Sequence, residues 1–305
     1  MRVRKRKIVE NVPEHIYVRG VRKQTLFFDD IDRLVYYTRY AVSARKRGVK
    51  TLALSIMYDH LHGLSIYEDF DGMSAHTRDC LACFARDYNV DADRKGPLFE
   101  CAFGSAPKTS VKSIRSTIIY IGNNQVEKHL CDRAEECRWS FVAYLASNHP
   151  YSEVMDKNRM SDKLKLAVSC VDSREKANLP LSYPALRFYF KGLSAKETEQ
   201  LKDYIIGKYY PIDQEEVLSF FDGDYEKLLT ALHATSGNDY DIKEDYTVKS
   251  DEIFFHLIQC CTRSSFRHNL KRIQTETAER KRKIAEILKQ KTGASEFELR
   301  KFLDM

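Results

Sequence analysis

Two histidines that flank a single residue, His60 and His62, are the most informative chemical feature of the sequence. In a β-strand, side chains at positions i and i+2 project from the same face. Both imidazoles would therefore face one side while Leu61 packs into the core on the other. Two neighbouring imidazoles can hold a divalent metal ion once a third ligand arrives from elsewhere in the fold. The alternative is a pair of half-exposed histidines without a metal, because this spacing often arises by chance.

A tyrosine and an asparagine farther along the chain supply other groups that such a site would need. Tyr120 and Asn124 lie four positions apart in a predicted helix, so they share one helix face. A phenol hydroxyl can act as a nucleophile, and a carboxamide oxygen can bind a metal ion. Gly122 and Asn123 are poor residues for a helix interior, which indicates that this face serves another purpose. The alternative is that Tyr120 is an ordinary core aromatic.

The pattern of apolar residues in the first half predicts the elements that must position these groups. Alternation predicts strands over 15–21, 50–57 and 60–67 and a short strand near 99–103. Helical spacing predicts a helix that begins after Asp29 and Asp30 and ends near Gly48, a second over 73–88 and a third from Ser110. The order β-α-β-β-α-β-α is typical of an α+β fold with helices packed on a sheet.

The second half is predicted to be mostly helical, with one strand at 185–190. Ser194 fits a capping box that opens one helix. We predict a domain over 1–150 that carries the candidate site, an accessory mainly helical region over 151–250 and a basic helical tail over 251–305. Within the tail, a helix, a Gly turn and a second helix that opens at Ser295 resemble a helix-turn-helix. An ordinary solvated helical hairpin is the alternative.

The charges of the chain are unevenly distributed. The 305 residues include 50 Lys and Arg and 44 Asp and Glu, for a net charge of +6. Residues 1–10 carry five bases, 213–245 carry ten acids, and 262–291 carry ten bases against three acids. Basic ends of this kind predict a polyanionic partner such as nucleic acid, whereas solvated helix faces are the alternative.

Several classes of protein are not expected from this sequence. It has no 18-residue apolar run, so no membrane span is predicted. Its basic start is not followed by the apolar core of a secretory signal. Eight cysteines are too few for a disulfide scaffold and indicate a reducing cytoplasm. We expect Cys80 and Cys83 to be buried helix cysteines because no second pair completes a zinc site.

Blocks of the chain resemble the single-tyrosine transposases of the HUH endonuclease superfamily, and in particular the REP-associated tyrosine transposases. Arg19-Gly20 matches the RG of the family's first strand, 27–33 (FFDDIDR) its FFDDxDR and 57–64 (MYDHLHGL) its MPNHVHLL. Farther on, 96–105 (GPLFECAFGS) is similar to its G-x-L-W-x-x-R-F-K-S, 117–130 (TIIYIGNNQVEKHL) to its RYIHxNPVxAGL and 138–140 (RWS) to its PWSS. The resemblance covers about residues 12–145.

This resemblance implies a fold, a reaction and a set of site residues. The fold would be a ferredoxin-like HUH antiparallel sheet with helices packed on it. His60, His62 and Asn124 would bind Mg²⁺ or Mn²⁺, and Tyr120 would be the nucleophile. The enzyme would be a metal-dependent single-strand DNA endonuclease and strand transferase that nicks and rejoins DNA in transposition, through a 5′-phosphotyrosine intermediate.

The resemblance also implies single-stranded or hairpin DNA as partner, a homodimer, and a cytoplasmic, nucleoid-associated location. The basic residues expected to contact DNA are Arg4, Lys5, Arg19, Arg22, Lys23, Arg280, Lys281 and Lys283.

Two alternatives stay open, and differences from the family pattern favour the second of them. Tyr58-Asp59 stands where the family has Pro-Asn, Ala102 and Gly104 replace Arg and Lys, and Gln125 replaces Pro. The first alternative is a domesticated host factor that nicks or processes DNA. The second is a DNA-binding regulator that has lost cleavage. The catalytic interpretation requires that the Tyr120 oxygen meet the histidine pair on one side of the sheet, outside the protein interior.

Overall fold

The computed structural model describes residues 10–100, 103–156, 158–236, 250–262 and 264–305. Its strands are β1 (Glu14–Arg19), β2 (Lys50–Ile56), β3 (His60–Ile66) and β4 (Gly104–Pro107). The helices of the first half are α1 (Asp30–Lys46), α2 (Phe70–Ala92) and α3 (Val111–Asn123). Those of the second half are α4 (Asp162–Lys176), α5 (Tyr183–Phe190), α6 (Ala195–Lys208), α7 (Gln214–Ser219), α8 (Tyr225–Ala234), α9 (Glu252–Thr262), α10 (Ala278–Thr292) and α11 (Glu296–Leu303).

The four strands form one antiparallel sheet in the order β2-β3-β1-β4. With α1 and α2 between them, the strands give the β-α-β-β-α-β succession of a ferredoxin-like arrangement. The predicted α+β class and antiparallel sheet are therefore confirmed.

Helices cover both faces of this sheet. On one face, the Tyr40 hydroxyl of α1 lies 2.8 Å from Ser65 Oγ of β3. On the other face, α3 packs against β2 and β3. His60 and His62 alternate with Leu61 along β3, so they face α3 while Leu61 faces α1, as predicted.

The predicted helix starts agree with the caps that the structure shows. Asp29 caps α1 by accepting from the Asp32 amide at 2.9 Å, and Ser110 caps α3 by accepting from the Ser113 amide at 3.1 Å. The chain leaves α1 through Gly48, whose φ of 61° favours glycine.

Two strand predictions are wrong in position or type. The strand expected near 99–103 lies instead at Gly104–Pro107, and Phe99 makes only an isolated bridge to Gly20. Gly104 pairs with Tyr17, and a side chain on Gly104 would collide with the Tyr17 ring. Residues 185–190 lie in α5, because Ser182 caps a helix and Pro184 occupies its first turn.

The second half packs onto the first at two places. Leu164, Leu201 and Leu232 belong to the same buried cluster as the core of the sheet, so buried side chains are continuous across the predicted boundary at residue 150. A second cluster joins α9, α10 and α11 to Phe28 and Tyr58. The limits of the three predicted domains stay a prediction.

Cysteine pairing differs from the sequence expectation. Cys131 and Cys137 form a disulfide. Cys80 and Cys83 are free thiols in α2 as expected, but only Cys80 is buried, and Cys83 is half-buried. Disulfides are uncommon in a reducing cytoplasm, so this pair gives that prediction no support. Among the described residues, no helix combines the length and apolar character needed to cross a bilayer.

The buried Glu14 on β1 should make stability depend on pH. Its carboxylate oxygens have no hydrogen-bond partner among the described residues, and desolvation raises its pKa from 4.5 to about 7. Its contribution to stability is therefore full below about pH 4.5 and is lost as the pH rises towards 7. We expect Glu14→Gln to raise the free energy of unfolding by about 2 kcal/mol at pH 8 and by much less at pH 5.

Urea unfolding at the two pH values measures this difference. Glu68→Gln is the matched control, because Glu68 is exposed and should change stability little at either pH. Equal effects of Glu14→Gln at pH 5 and pH 8 would contradict the expected desolvation.

Candidate functional site

The four residues singled out by the sequence converge on one side of the sheet. The Tyr120 hydroxyl lies 3.4 Å from His62 Nε2, and Asn124 Oδ1 lies 3.3 Å from His60 Nε2. The two imidazole ring centres are 5.1 Å apart. Two side chains of β3 thus contact two side chains at the end of α3.

The end of α3 explains why this turn has its composition. Gly122 and Asn123 are not mid-helix residues, because α3 ends at Asn123 and Asn124 is its C-cap. A side chain on Gly122 would collide with Leu232 of α8. The side-chain amide of Asn123 donates to the backbone carbonyl of Leu232 at 2.7 Å. These two residues therefore let α8 approach α3, while Tyr120 and Asn124 face the histidines.

Asp59 and Lys301 lie behind His60. Asp59 Oδ1 is 2.5 Å from His60 Nδ1, and Asp59 Oδ2 is 2.8 Å from the Lys301 ammonium of α11. Burial opposes ionisation of Asp59, but His60 and Lys301 hold its pKa well below the ordinary value. As a carboxylate, Asp59 can accept a hydrogen bond from His60 Nδ1, so Nε2 is the ring nitrogen that faces Asn124.

His15 of β1 holds His62 in a similar way. His15 Nε2 lies 3.0 Å from His62 Nδ1, and the His15 ring centre is 5.9 Å from that of Tyr120. Burial lowers the pKa of His15 to about 3 and that of His62 well below its ordinary value, so both rings are neutral. His62 Nδ1 can then donate to His15, which leaves Nε2 facing the Tyr120 hydroxyl.

Sequence reasoning missed three residues of this site. His15 was predicted only as part of a strand, and Lys301 and Asp251 only as parts of helices. Burial and the nearby Asp59 raise the pKa of Asp251. The alternation that places His15 and Tyr17 on one face was visible in the sequence, but the β1–β3 pairing that brings them to His62 was not.

The chemistry of the donors fits a divalent cation. When His60 Nε2 carries no proton, this nitrogen and Asn124 Oδ1 are two electron-pair donors that face each other at 3.3 Å. Imidazole nitrogen and amide oxygen suit Mn²⁺ well, and Mg²⁺ prefers oxygen. In the described part of the chain, no group of three or more His, Cys, Asp and Glu side chains could hold a metal ion, so the candidate set depends on the Asn124 amide.

The site is closed in this structure. Tyr120 is 1% exposed, and His60, His62 and Asn124 are also buried. The Tyr120 oxygen faces the histidines on the expected side of the sheet, but the expectation that it lies outside the protein interior is wrong. This requirement of the catalytic interpretation is therefore not met by the closed arrangement, and catalysis would need the segments that cover Tyr120 to open. Tyr17, whose ring centre is 6.5 Å from that of His62, is by contrast 46% exposed.

The basic residues that were predicted to contact DNA lie in different surroundings. Arg4 and Lys5 lie outside the described residues. Arg22 and Lys23 are exposed, although Arg22 pairs with Asp304, and Arg19 is half-buried. Arg280 and Lys283 are exposed on α10 and pair with neighbouring glutamates.

Lys281 is the basic residue whose position agrees least with DNA contact. Its side chain is buried, and its ammonium donates to the Asp304 carbonyl at 2.8 Å.

The helix, Gly turn and second helix that were predicted for the tail are present, with Gly293 at the end of α10 and Ser295 as the N-cap of α11.

The comparisons with known proteins found one distant structural likeness. No protein-family model matches the chain, and no curated protein matches it. A solved REP-associated tyrosine transposase bound to a REP hairpin matches over 53% of this chain and 96% of that chain, at 13% identity and a TM-score of 0.40. So loose a superposition carries no argument about activity, which leaves the site geometry to support a function.

Proposed function

We propose that the protein is a metal-dependent DNA strand transferase of the single-tyrosine HUH type, which nicks and rejoins single-stranded or hairpin DNA. The convergence of Tyr120, His60, His62 and Asn124 is the observation that supports this proposal. A nucleophile and a set of neutral cation ligands come together from two segments far apart in the sequence. Such a combination suits transesterification at phosphorus.

The chain's own residues would divide the work as follows. The Tyr120 oxygen attacks the scissile phosphorus, the bond from phosphorus to the 3′-oxygen breaks, and a 5′-phosphotyrosine forms. The leaving 3′-oxygen takes up one proton for the one that the phenol loses. A bound Mg²⁺ or Mn²⁺ supplies charge neutralisation at the phosphate. Because one phosphate ester replaces another, a 3′-hydroxyl can reverse the step without a nucleotide cofactor.

Residues behind the ligands would orient them. Asp59 sets the tautomer of His60, and His15 does the same for His62, as partners of metal-binding histidines commonly do. Single-stranded DNA as substrate, a homodimer and a nucleoid-associated location in the cytoplasm complete the proposal.

The burial of Tyr120 favours a second candidate function, a DNA-binding regulator without cleavage. DNA reaches the phenol only if the covering segments move, and α11 is one segment beside the site through Lys301. Strand transfer therefore requires an opening motion, whereas regulation requires none.

Covalent trapping distinguishes the two functions. We expect the full chain, incubated with labelled hairpin DNA that carries randomised single-stranded flanks and Mn²⁺, to form a protein–DNA adduct that survives denaturing electrophoresis. Excess chelator should prevent the adduct. DNA binding without an adduct would support the regulator instead.

Replacing Asp59 with Asn should weaken metal binding. Asn removes the negative charge behind His60 and cannot hold its tautomer as firmly, so we expect Mn²⁺ affinity to fall about 10- to 100-fold. Calorimetric titration measures it, with Asp132→Asn as the control because Asp132 is exposed. Unchanged affinity in Asp59→Asn would contradict the orienting role.

A further inference from the structure

A cleft of about 390 Å³ lies beside the candidate site and has no role in the proposed reaction. It is lined by residues that adjoin the site along the chain. Tyr58 precedes Asp59, and Gln125 follows Asn124. Its other walls include Trp139, Arg33 of α1 and Phe255 of α9. The cleft and the candidate site therefore share two segments of backbone.

Aromatic rings and a cation form the inner wall of the cleft. The Arg33 guanidinium carbon lies 4.9 Å from the centre of the Tyr58 ring and 5.7 Å from that of Trp139. Arg33 is buried, and its Nε has no hydrogen-bond partner in the described part of the chain. Arg33 thus places a positive charge in this wall, beside rings on which a flat ligand can stack.

Backbone hydrogen bonds hold this wall in place. The Ile56 amide donates to the Trp139 carbonyl at 3.1 Å, and the Leu26 amide donates to the Tyr58 carbonyl at 2.7 Å. The rings are thus attached to the sheet, so a ligand need not order them on binding.

The rim of the cleft indicates which part of a nucleotide it accepts. Glu136 and Glu252 line it and are exposed. Arg138 also lines it but is already paired with two carboxylates of α6, so Glu136 and Glu252 oppose entry of a phosphate. Carboxylates accept hydrogen bonds from the exocyclic amino groups of bases. Phe255, which is 48% exposed, adds an apolar surface at the entrance. A flat, polar-edged aromatic group fits this surface better than a sugar-phosphate does.

We infer that this cleft holds an unpaired nucleobase of the DNA strand that the site acts on. The inference rests on the proposed function. A base stacked against Trp139, with its edge towards Arg33, would fix the single-stranded flank next to the reacting phosphate. Positioning of this kind contributes to catalysis by holding the phosphate near the nucleophile.

The single tryptophan of the chain makes the test direct, because all indole emission comes from Trp139. The full chain in chelator is titrated with a dye-labelled hairpin that carries randomised single-stranded flanks. Dye anisotropy reports DNA binding, and indole emission reports the cleft. We expect saturable quenching with this DNA. With abasic flanks we expect no quenching and affinity about tenfold lower.

A pair of variants checks the location. Phe255→Ala should weaken binding of the flanked hairpin several-fold and leave a blunt hairpin unaffected. Phe188→Ala is the matched control, because Phe188 is exposed on α5 and does not line the cleft. Because both rings are exposed, neither change should unfold the chain.

The outcomes separate this inference from the proposed function. Binding of DNA without a change in indole emission, or equal quenching by abasic flanks, would overturn the cleft as a base site. If the Tyr120 adduct still forms in that case, the strand-transferase proposal is retained and only the cleft as a base site is rejected. Failure of every DNA to raise the anisotropy would overturn both.

Discussion

Tyr120→Phe should abolish the covalent protein–DNA adduct while DNA binding stays within about twofold of wild type. Phenylalanine keeps the ring that packs against His15 and His62 and removes only the attacking oxygen. The lost contact with His62 Nε2 is a long one at 3.4 Å, so stability should fall by no more than about 1 kcal/mol. Denaturing electrophoresis of labelled DNA measures the adduct, and anisotropy measures binding.

Tyr17→Phe is the informative control for this prediction. Tyr17 lies on the same face of the sheet, near His62, and is exposed where Tyr120 is buried. If the adduct survives in Tyr120→Phe but disappears in Tyr17→Phe, the nucleophile is the exposed tyrosine. Survival in both variants would remove this group of residues as the site of covalent chemistry.

Lys271→Ala should destabilise the protein by about 3 to 5 kcal/mol. The Lys271 ammonium lies 2.6 Å from Asp32 Oδ1 and 2.8 Å from Asp91 Oδ2, and its side chain is only 3% exposed. It also lies 3.5 Å from the centre of the Tyr183 ring. Its removal would leave two carboxylates in the interior without their shared cation.

The neighbouring charges explain why the loss is large. Burial alone would raise the pKa of Asp91, but the hydrogen bond from Arg187 and the charge of Lys271 bring it below its ordinary value. Asp29, close to the same cluster, already has its pKa raised to about 6, chiefly by burial. Without Lys271, further carboxyl groups must bind protons or draw in water, and either response costs free energy.

Urea unfolding of three further variants tests this prediction. Lys283→Ala is the surface control, because Lys283 is 71% exposed and its pair with Glu279 should contribute less than about 1 kcal/mol. Lys271→Met keeps the aliphatic stem and should still be destabilised. The double variant Lys271→Met, Asp91→Asn should recover part of the loss. A loss below 1 kcal/mol in Lys271→Ala would contradict a buried ionic cluster.

The sequence alone was sufficient for most local elements of the first half, with the strand expected near 99–103 as the exception. Capping residues such as Asp29 and Ser110 start helices through contacts within one turn, and the alternation around Leu61 marks a strand by its two faces. These signals depend on neighbouring residues, so no knowledge of the fold is needed to interpret them. The same reasoning failed at 185–190, where aromatic residues favoured a strand and the Ser-Tyr-Pro start favoured a helix.

What only the tertiary structure decided is which distant groups meet. His15 reaches His62 through strand pairing, and Lys301 reaches Asp59 by packing of the C-terminal helices against Phe28 and Tyr58. Neither contact leaves a periodic signal, because it depends on the register and docking of separate elements. The burial of Tyr120 likewise results from segments that cover it in space. Local patterns determined the candidate residues, and long-range packing determined their partners and their access to solvent.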